Sequence, residues 1–336
     1  MTTHLITDAI GNTPLIRLDR MFPQEHINVY AKLEYMNPSL SIKDRIVRYI
    51  LDNAEASGEL KPGSTIVENT SGNTGAAIAM IAAARGYKCI LTMPDKVAEE
   101  KRSVLRALGA QVVICPTSAA PDGPDHYVSR ARAIAASIPG SFMINQYDNK
   151  ENAEAHFKTT GPEIWDQLGA SVDYFVASGS TGGTISGVGR YLKMQKPAIK
   201  VVMPDPYGSI YYSYFKTGKV REEDIGTYQV EGIGEDHLAK CMDFSIVDEM
   251  YQFNDDNAFD AALRASRDEG LFVGTSAGAN LWGCMKLAET LTEPATIVTV
   301  LPDSGLKYLS KFKKYIDQGS MAPVKGGVLA LKRAAV

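Results

Sequence analysis

Runs of β-branched residues recur along this sequence, and several end in a turn rich in glycine, serine and threonine that opens into a helical pattern. In the clearest example, residues 65–67 (TIV) lead through residues 69–75 (NTSGNTG) into residues 76–85 (AAIAMIAAAR). Strands that alternate with helices favour parallel pairing, because each helix returns the chain to the same end of the sheet. The sequence therefore predicts an α/β fold of mostly parallel, twisted sheets flanked by helices.

The same pattern predicts further elements on both sides of residues 139–153, a polar stretch rich in turn-forming residues. Gly86 is predicted to end the Ala-rich helix, because glycine adopts the left-handed conformation without strain. Tyr191 and Leu192 are assigned to a helix after residues 180–184. The other predicted strands are residues 87–93, 110–115, 174–177, 200–203 and 296–301, and the other predicted helices are residues 46–58, 101–108 and 127–136. We expect two lobes with their boundary at residues 139–153.

The composition is that of a globular protein, with 336 residues, 45% of them apolar and 22% charged. The formal net charge of −4 and the dispersed basic residues argue against a nucleic-acid partner. The first residues, MTTHLITDAIGNTPL, do not have the basic and apolar segments of a secretory signal. No apolar run approaches the roughly 20 residues that span a bilayer. We therefore expect a cytoplasmic protein with neither nucleic-acid nor membrane partners.

The cysteines and histidines show no metal-binding spacing. The four cysteines form no C-x-x-C pair, and the five histidines form no H-E-x-x-H motif. We therefore expect no metal site and no disulfide framework. The residues that we assign to the core are Cys89, Cys115, Cys241 and Cys284 as reduced thiols, together with Trp165 and Trp282.

Two glycine-rich loops stand where a predicted strand ends and a predicted helix begins. The first loop consists of Thr70, Ser71, Gly72, Asn73 and Thr74, and the second of Ser180, Thr181, Gly182, Gly183 and Thr184. A helix start offers free backbone N–H groups and the positive end of the helix dipole, so each loop is a candidate anion site. Neither loop fits the nucleotide-binding glycine motifs, which disfavours a nucleotide. Taken alone, either loop is equally explained as a tight connection.

Two further segments carry groups of chemical interest. Lys43 lies in SIKDR, just ahead of the predicted helix at residues 46–58, and a desolvated lysine there has a lowered pKa and forms imines. The alternative is a solvated surface lysine, and the spacing does not decide between them. Ser276 lies in GTSAG at residues 274–278, which the sequence alone also explains as a capped helix start.

The order of these segments resembles the fold-type II pyridoxal-phosphate enzymes that carry out β-replacement. The matching motifs are IGNTPL at residues 10–15, NPSLSIKDR at 37–45, TSGNTG at 70–75, STGGT at 180–184 and GTSAGA at 274–279. Within that family the chain is most similar to the cystathionine β-synthase catalytic core and to cysteine synthases. The segments closest to the former are DPYGSI at 205–210, VEGIGEDH at 230–237 and LPDSGLKYLSKF at 301–312.

The resemblance implies that Lys43 forms the Schiff base with pyridoxal phosphate and then moves the α-proton while a thiolate replaces the β-substituent. Asn73 matches the partner of the ring 3′-oxygen, and Ser276 the partner of the pyridine nitrogen. The residues implied for the phosphate are Ser180, Thr181, Gly182, Gly183 and Thr184, and those implied for the substrate are Thr70, Ser71, Gly72, Thr74, Gln146, Gly232 and Glu235. The substrates would be an amino acid and a thiol.

Four functions remain open within this resemblance. The favoured one is condensation of serine with homocysteine, because residues 230–237 resemble the cystathionine β-synthase loop. Glu235 would hold the homocysteine ammonium there, although a solvated acidic loop explains the same residues. The alternatives are cysteine synthesis from O-acetylserine and sulfide, a diaminopropionate-type synthesis from phosphoserine and an amine, and a non-catalytic regulatory relative.

The resemblance also implies an architecture. It predicts a smaller mobile lobe at residues 40–145, a larger cofactor-anchoring lobe at 1–39 and 146–316, a C-terminal tail at 317–336, and a homodimer. Two departures from the family pattern stand out, since Ser39 and Leu40 replace two glycines and Ser180 replaces a third. We expect the first to reshape one wall of the cofactor site and the second to preserve phosphate binding. No haem or adenosylmethionine control is expected.

Overall fold

The computed structural model describes residues 4–70, 72–120 and 122–317. Their strands are β1 Leu15–Arg17, β2 Ile27–Leu33, β3 Thr65–Asn69, β4 Lys88–Pro94, β5 Gln111–Cys115, β6 Tyr174–Val176, β7 Lys200–Pro206, β8 Glu249–Phe253 and β9 Ala295–Leu301. Their helices are α1 Lys43–Ser57, α2 Asn73–Arg85, α3 Glu99–Ala107, α4 Tyr127–Ser137, α5 Glu151–Lys158, α6 Thr160–Leu168, α7 Gly183–Gln195, α8 Tyr211–Thr217, α9 Asp255–Glu269, α10 Thr275–Thr290 and α11 Leu309–Asp317.

These strands form two sheets. One has six strands in the order β1-β2-β9-β6-β7-β8, and the other has three in the order β3-β4-β5. Every neighbouring pair is parallel except β1 and β2. Strand β9 is buried along its whole length, as expected of a central parallel strand with helices on both faces. The predicted α/β fold with mostly parallel sheets is therefore confirmed.

The predicted strands and helices all occur, with bounds that differ by a few residues. Gly86 ends α2 at φ +75°, as predicted. Helix α1 begins at Lys43 rather than at residue 46, because Asp44 in its first turn accepts hydrogen bonds from the backbone N–H and the hydroxyl of Ser39. Sequence analysis did not predict strands β1, β2 and β8 or helices α5, α6, α8, α9 and α11. The apolar pattern of β2 is interrupted by Lys32, a side chain that is fully buried.

Apolar clusters fill the space between the sheets and their helices. Ile46 and Ile78 pack beneath the three-stranded sheet, and Phe175 and Phe259 belong to two clusters of the six-stranded sheet. All four cysteines are buried and free, as predicted, whereas both tryptophans are only partly buried at the edges of clusters. No helix among the described residues is long and apolar enough to cross a membrane. The predicted tail falls almost entirely on residues 318–336, which lie outside the described residues.

A buried ionic network joins α1 to α6 beside Lys43. Arg45 donates to Glu34 Oε2 at 2.6 Å and to Glu163 Oε1 at 2.7 Å, and Lys32 lies 2.8 Å from Glu163. Burial alone would raise the pKa of Glu163, but the Arg45 hydrogen bonds and charge outweigh it and lower that pKa to about 2. This stabilisation is complete above the ordinary value of 4.5 and is lost as the pH falls toward 2.

Replacement of Arg45 by Met should therefore lower the free energy of unfolding by about 3–5 kcal/mol, because it leaves the buried Glu34 carboxylate without its partner. Urea unfolding measures the change. Arg48→Met is the matched control, because Arg48 forms a more exposed pair with Asp52 at 3.5 Å, and it should cost at most ~1 kcal/mol. Equal effects of the two substitutions would contradict the prediction.

Candidate active site

Lys43 begins α1 at the point where β9 ends. The Ile42 N–H donates to the Pro302 carbonyl at 2.8 Å, and Ser41 bridges to Asp303 in antiparallel fashion. Helix α1 therefore begins beside the carboxyl end of β9, in a crevice of the kind where α/β proteins bind ligands. The sequence placed Lys43 near a helix start, and the tertiary fold places that start at the sheet edge.

The Lys43 amine is half-buried rather than solvated. Burial lowers its pKa, while the negative charges of Asp303 and Glu235 oppose that shift. A lowered pKa increases the fraction of neutral amine near neutral pH, and only the neutral amine attacks a carbonyl carbon. The surface-lysine alternative does not describe this environment.

The second glycine-rich loop follows β6 and opens α7. Gly182 has φ +80°, and Gly183 is the first residue of the 13-residue helix. A Cβ atom on Gly183 would lie 1.9 Å from Asn152 Oδ1, so no larger residue fits without displacement of Asn152. Asn152 Nδ2 also donates to Thr181 Oγ1 at 3.0 Å. Asn152 thus packs against the loop and fixes it, and the free N–H groups at the N-terminus of α7 suit an anion.

The buried side chain of His156 contacts this loop at Thr184. His156 Nε2 lies 3.2 Å from Thr184 Oγ1, and His156 Nδ1 lies 2.9 Å from Thr160 Oγ1. Burial lowers the pKa of His156 well below its ordinary value, and the charges of Lys43 and Arg45 lower it further. The Thr184 hydroxyl is therefore oriented by an uncharged ring.

The first glycine-rich loop lies close to the second. Thr74 Oγ1 donates to Gln146 Oε1 at 2.6 Å, and the Gln146 carbonyl accepts from Asn152 Nδ2 at 2.8 Å. Asn152 thus joins the residues predicted to bind the substrate carboxylate to the predicted phosphate loop. Thr70 is buried at the end of β3, and Gly72 precedes the first residue of α2. Ser71, which was assigned to the same site, lies outside the described residues.

Asn73 and the segment before α10 meet at Asp303. Asn73 Nδ2 donates to Asp303 Oδ2 at 2.6 Å, and Asn73 Oδ1 accepts from Lys307 Nζ at 2.6 Å. The Gly274 N–H donates to the Asp303 carbonyl at 3.0 Å, and the buried Ser276 is the second residue of α10. Asp303 therefore connects the predicted 3′-oxygen partner with the segment that carries the predicted pyridine partner.

Of the two adjacent acids after Gly234, only Glu235 turns inward. Its side chain is 12% exposed, compared with 71% for Asp236. Glu235 Oε1 accepts from Ser180 Oγ at 2.5 Å, and the Gly234 N–H donates to the Gly179 carbonyl at 2.7 Å. Burial raises the pKa of Glu235. The acid thus faces the glycine-rich loop of α7, while the backbone at Gly232 is left-handed at φ +83°.

The two residues that replace family glycines line the cleft beside Asn73. Leu40 has φ +62°, a conformation that costs a non-glycine residue roughly 1–2 kcal/mol, and its side chain remains 43% exposed. Together with Ser39 and Gly72 it borders a largely apolar cleft of about 430 Å³. One wall of the cleft therefore carries a leucine side chain where the family has glycine. The effect of this leucine on the cofactor stays a prediction.

Sequence analysis missed four polar residues of this site, namely Asn152, His156, Asp303 and Lys307. Asp303 offered one signal, because it follows the apolar run of β9 just as the glycine-rich loops follow their strands. The other three lie on helices or turns that are rich in polar residues, as exposed segments are. Their positions depend on contacts between distant parts of the chain.

One group of potential metal ligands occurs in the described residues, formed by Glu235, Asp236 and His237, with their ligand atoms within 4.8 Å of one another. His237 Nδ1 lies 2.9 Å from Asp236 Oδ1 and 3.5 Å from Glu235 Oε2, so the hydrogen bond between neighbouring side chains accounts for the grouping. Two of the three side chains are exposed. The expectation of no metal site stays a prediction.

A sequence profile described as "Pyridoxal-phosphate dependent enzyme" matches residues 6–303. The chain belongs to this family. It is 43% identical to cystathionine β-synthase of Apis mellifera over 91% of this chain and 60% of that protein. It is 39% identical to cysteine synthase 1 of Emericella nidulans over 91% of this chain and 83% of that protein. The chain thus spans less than two thirds of the first of these relatives.

A solved structure shares the fold. The crystal structure of an O-acetylserine dependent cystathionine β-synthase from Helicobacter pylori superposes with a TM-score of 0.83 and 34% identity, over 92% of this chain and 98% of that one. The predicted family, fold class and cofactor are therefore confirmed at the level of the family. The roles of individual residues stay predictions.

The residues present fit pyridoxal phosphate. The cofactor's aldehyde requires an amine with a lowered pKa, which Lys43 provides. Its phosphate requires a helix N-terminus without side-chain obstruction, which Gly182 and Gly183 provide at the start of α7. Asp303 Oδ1 is buried and has no hydrogen-bond partner among the described residues, as at a site that is completed by a ligand.

Proposed function

We propose that this protein catalyses pyridoxal-phosphate-dependent β-replacement on a serine-type amino acid, with a thiol as nucleophile. The observation that carries this proposal is the position of Lys43, a half-buried residue whose pKa is lowered and which lies close to the starts of α2 and α7. Bound there, the cofactor supplies the electron sink for the carbanion at the substrate α-carbon. The regulatory alternative is disfavoured because the lysine and the residues around it are intact.

Each predicted residue then has one task. Lys43 holds the cofactor and carries the substrate α-proton on its amine. Thr70, Ser71, Gly72, Thr74 and Gln146 bind the substrate carboxylate, Ser180 to Thr184 bind the phosphate, and Asn73 and Ser276 bind the ring. A neutral hydroxyl at Ser276 stabilises a protonated ring less than a carboxylate would, which favours loss of the β-substituent over transamination.

The proposed reaction is the condensation of serine with homocysteine. The sequence of residues 230–237 and the relatives named cystathionine β-synthase support it. Cysteine synthesis from O-acetylserine and sulfide is the second candidate, supported by the cysteine synthase relative and by the O-acetylserine dependent solved structure.

A matrix of substrates tests the function directly. Purified protein with pyridoxal phosphate is offered serine, O-acetylserine or phosphoserine, each with homocysteine, sulfide or an amine, and products are identified by mass. Cystathionine as the preferred product supports the proposal. If cysteine or diaminopropionate is the preferred product, the corresponding alternative reaction replaces the proposed one. No product from any pair, together with no visible absorption from bound cofactor, would contradict an enzymatic function.

Glu235→Ala should raise the apparent KM for homocysteine severalfold more than that for sulfide, because loss of the Ser180 contact and of the charge near Lys43 affects both nucleophiles alike. Homocysteine carries an ammonium that sulfide lacks, and a charge-assisted hydrogen bond to it contributes about 1.5–3 kcal/mol, less where solvent has access. Steady-state kinetics with both nucleophiles measures the effect. Asp236→Ala is the matched control, because that neighbouring acid is 71% exposed. If the two variants treat both nucleophiles as the parent does, Glu235 does not select the thiol.

The architecture implied by the family is also part of the proposal. The three-stranded sheet lies wholly within residues 40–145 and the six-stranded sheet outside them, which supports a smaller lobe and a larger lobe with the proposed bounds. The homodimer is proposed from the resemblance to the family. Sedimentation analysis of the purified protein tests this. We also propose that the protein acts in the cytoplasm, in transsulfuration.

A further inference from the structure

The Asn73 side chain is held between two groups of opposite hydrogen-bonding character. Its Nδ2 lies 2.6 Å from Asp303 Oδ2, and its Oδ1 lies 2.6 Å from Lys307 Nζ. An ionised carboxylate only accepts hydrogen bonds, and an ammonium only donates them. The orientation of the amide therefore follows from chemistry, although the nitrogen and oxygen of an amide are otherwise easily exchanged.

Asp303 and Lys307, which together form a clamp on the Asn73 amide, are themselves held by further hydrogen bonds. Lys307 Nζ also donates to the Ser39 carbonyl at 2.8 Å, and the Tyr308 hydroxyl donates to Asp303 Oδ2 at 2.5 Å. Burial raises the pKa of Asp303 and lowers that of Lys307, whereas the hydrogen bonds that Asp303 accepts and the attraction between the two charges oppose these shifts. Asp303 is only 1% exposed, a position that is costly for a carboxylate unless it is hydrogen-bonded and paired with an opposite charge.

We propose that Asp303 and Lys307 are positioning residues, which hold the Asn73 amide so that its second N–H donates to the cofactor's 3′-oxygen. This inference rests on the proposed function, because it takes Asn73 as the partner of that oxygen. Asp303 occupies one of the two amide hydrogens, and the other diverges from it. If the amide turned over, its carbonyl oxygen would face the 3′-oxygen, and two acceptors would repel each other.

One residue of the clamp, Asp303, also acts on Lys43 through its charge. The carboxylate that orients Asn73 is one of the two whose charge acts on the Lys43 amine. Asp303 thereby acts on two groups that the cofactor would meet.

The test compares the variant Asp303→Asn/Lys307→Met with its parent and with Asn73→Ala. The readouts are cofactor affinity from a titration of the apoprotein and the pH dependence of the bound cofactor's visible absorption. We expect the clamp variant to bind the cofactor roughly 10- to 100-fold more weakly and to shift the absorption titration, from loss of one hydrogen bond to a charged acceptor. The control is Asp317→Asn/Lys313→Met, an exposed pair on α11, which should match the parent.

The decisive comparison places the same two changes in an Asn73→Ala background. If the clamp acts through Asn73, the loss of affinity should be much smaller there, and what remains reflects the charge of Asp303 on Lys43, whereas a merely structural role would give the same loss in both backgrounds. An equal loss overturns the proposal, and so does a clamp variant that titrates as the parent does. A parent protein that binds no pyridoxal phosphate instead overturns the proposed function, and the clamp falls with it.

Single substitutions of Lys307 keep the test decisive if the double variant fails to fold. Lys307→Arg retains an obligate donor beside Asn73 Oδ1 and should keep near-parent affinity. Lys307→Gln either donates or accepts, so it should show an intermediate loss. Equal behaviour of the Arg and Gln variants would overturn the proposal, because it would show that donor character at residue 307 does not matter.

Discussion

Lys43→Ala is expected to abolish β-replacement while leaving the fold intact. The substitution removes both the amine that would bind the cofactor and the group that would carry the α-proton, and a positioned proton carrier alone contributes about 10²- to 10⁴-fold. We expect a loss of turnover of at least ~10³-fold. The side chain forms no ion pair in the described structure, so thermal unfolding should change little.

Two measurements make this result specific. Borohydride reduction of the parent protein with pyridoxal phosphate, followed by peptide mapping, should place the reduced adduct on Lys43. Lys61→Ala is the control, because that lysine is exposed on the loop between α1 and β3 and has none of the proposed roles, and it should retain full turnover. An adduct on another lysine would contradict the assignment of Lys43 as the lysine that binds the cofactor.

Gly183→Asp is expected to reduce cofactor affinity by at least about 100-fold. The new Cβ atom would lie 1.9 Å from Asn152 Oδ1, so Asn152 has to move, and the added carboxylate would repel a phosphate dianion at the start of α7. Equilibrium dialysis of the holoenzyme measures cofactor retention. Denaturant unfolding of the apoprotein reports in parallel on the cost to the fold.

Gly183→Ala separates the two causes. It introduces the same Cβ atom without the carboxylate, and Gly183→Asn adds the shape of Asp without its charge, so the difference between the Asn and Asp variants measures the electrostatic part. Gly226→Asp serves as the control, since Gly226 lies on an exposed loop where a Cβ atom meets only Gly208 Cα at 3.3 Å. Cofactor retention by Gly183→Asp equal to that of the parent would contradict the assignment of residues 180–184 to the phosphate.

Several parts of the site could be predicted from local sequence because they depend on local physics. The loops before α2 and α7 each follow a β-branched run and open a helix, so each could be predicted as a helix start with free N–H groups. Their meeting could not be predicted in this way, because β3 and β6 lie in different sheets. Gly86 and Gly182 have positive φ angles that their residue type permits. The resemblance added Lys43, Asn73 and Ser276, which pattern and spacing alone did not distinguish from surface residues.

Other parts depended on contacts between residues far apart in the chain. Asn73 and Asp303 are separated by 230 positions, and the hydrogen bond between them leaves no periodicity in the sequence. Glu235 and Asp236 are adjacent acids with the same local pattern, yet one is 12% exposed and the other 71%. Which acid turns inward depends on how residues 230–237 pack against the loop before α7.

The sequence by itself determined the α/β class, the parallel pairing and the anion-binding character of two loops, because backbone propensity and the direction of a helix act over a few residues. Only the tertiary structure decided that Lys43 has a lowered pKa, that Asn152 joins the two loops, and that Asp303 with Lys307 orients Asn73. Burial and hydrogen-bond partnership are properties of the packed molecule. They arise where distant segments meet, since desolvation and charge act through space rather than along the chain.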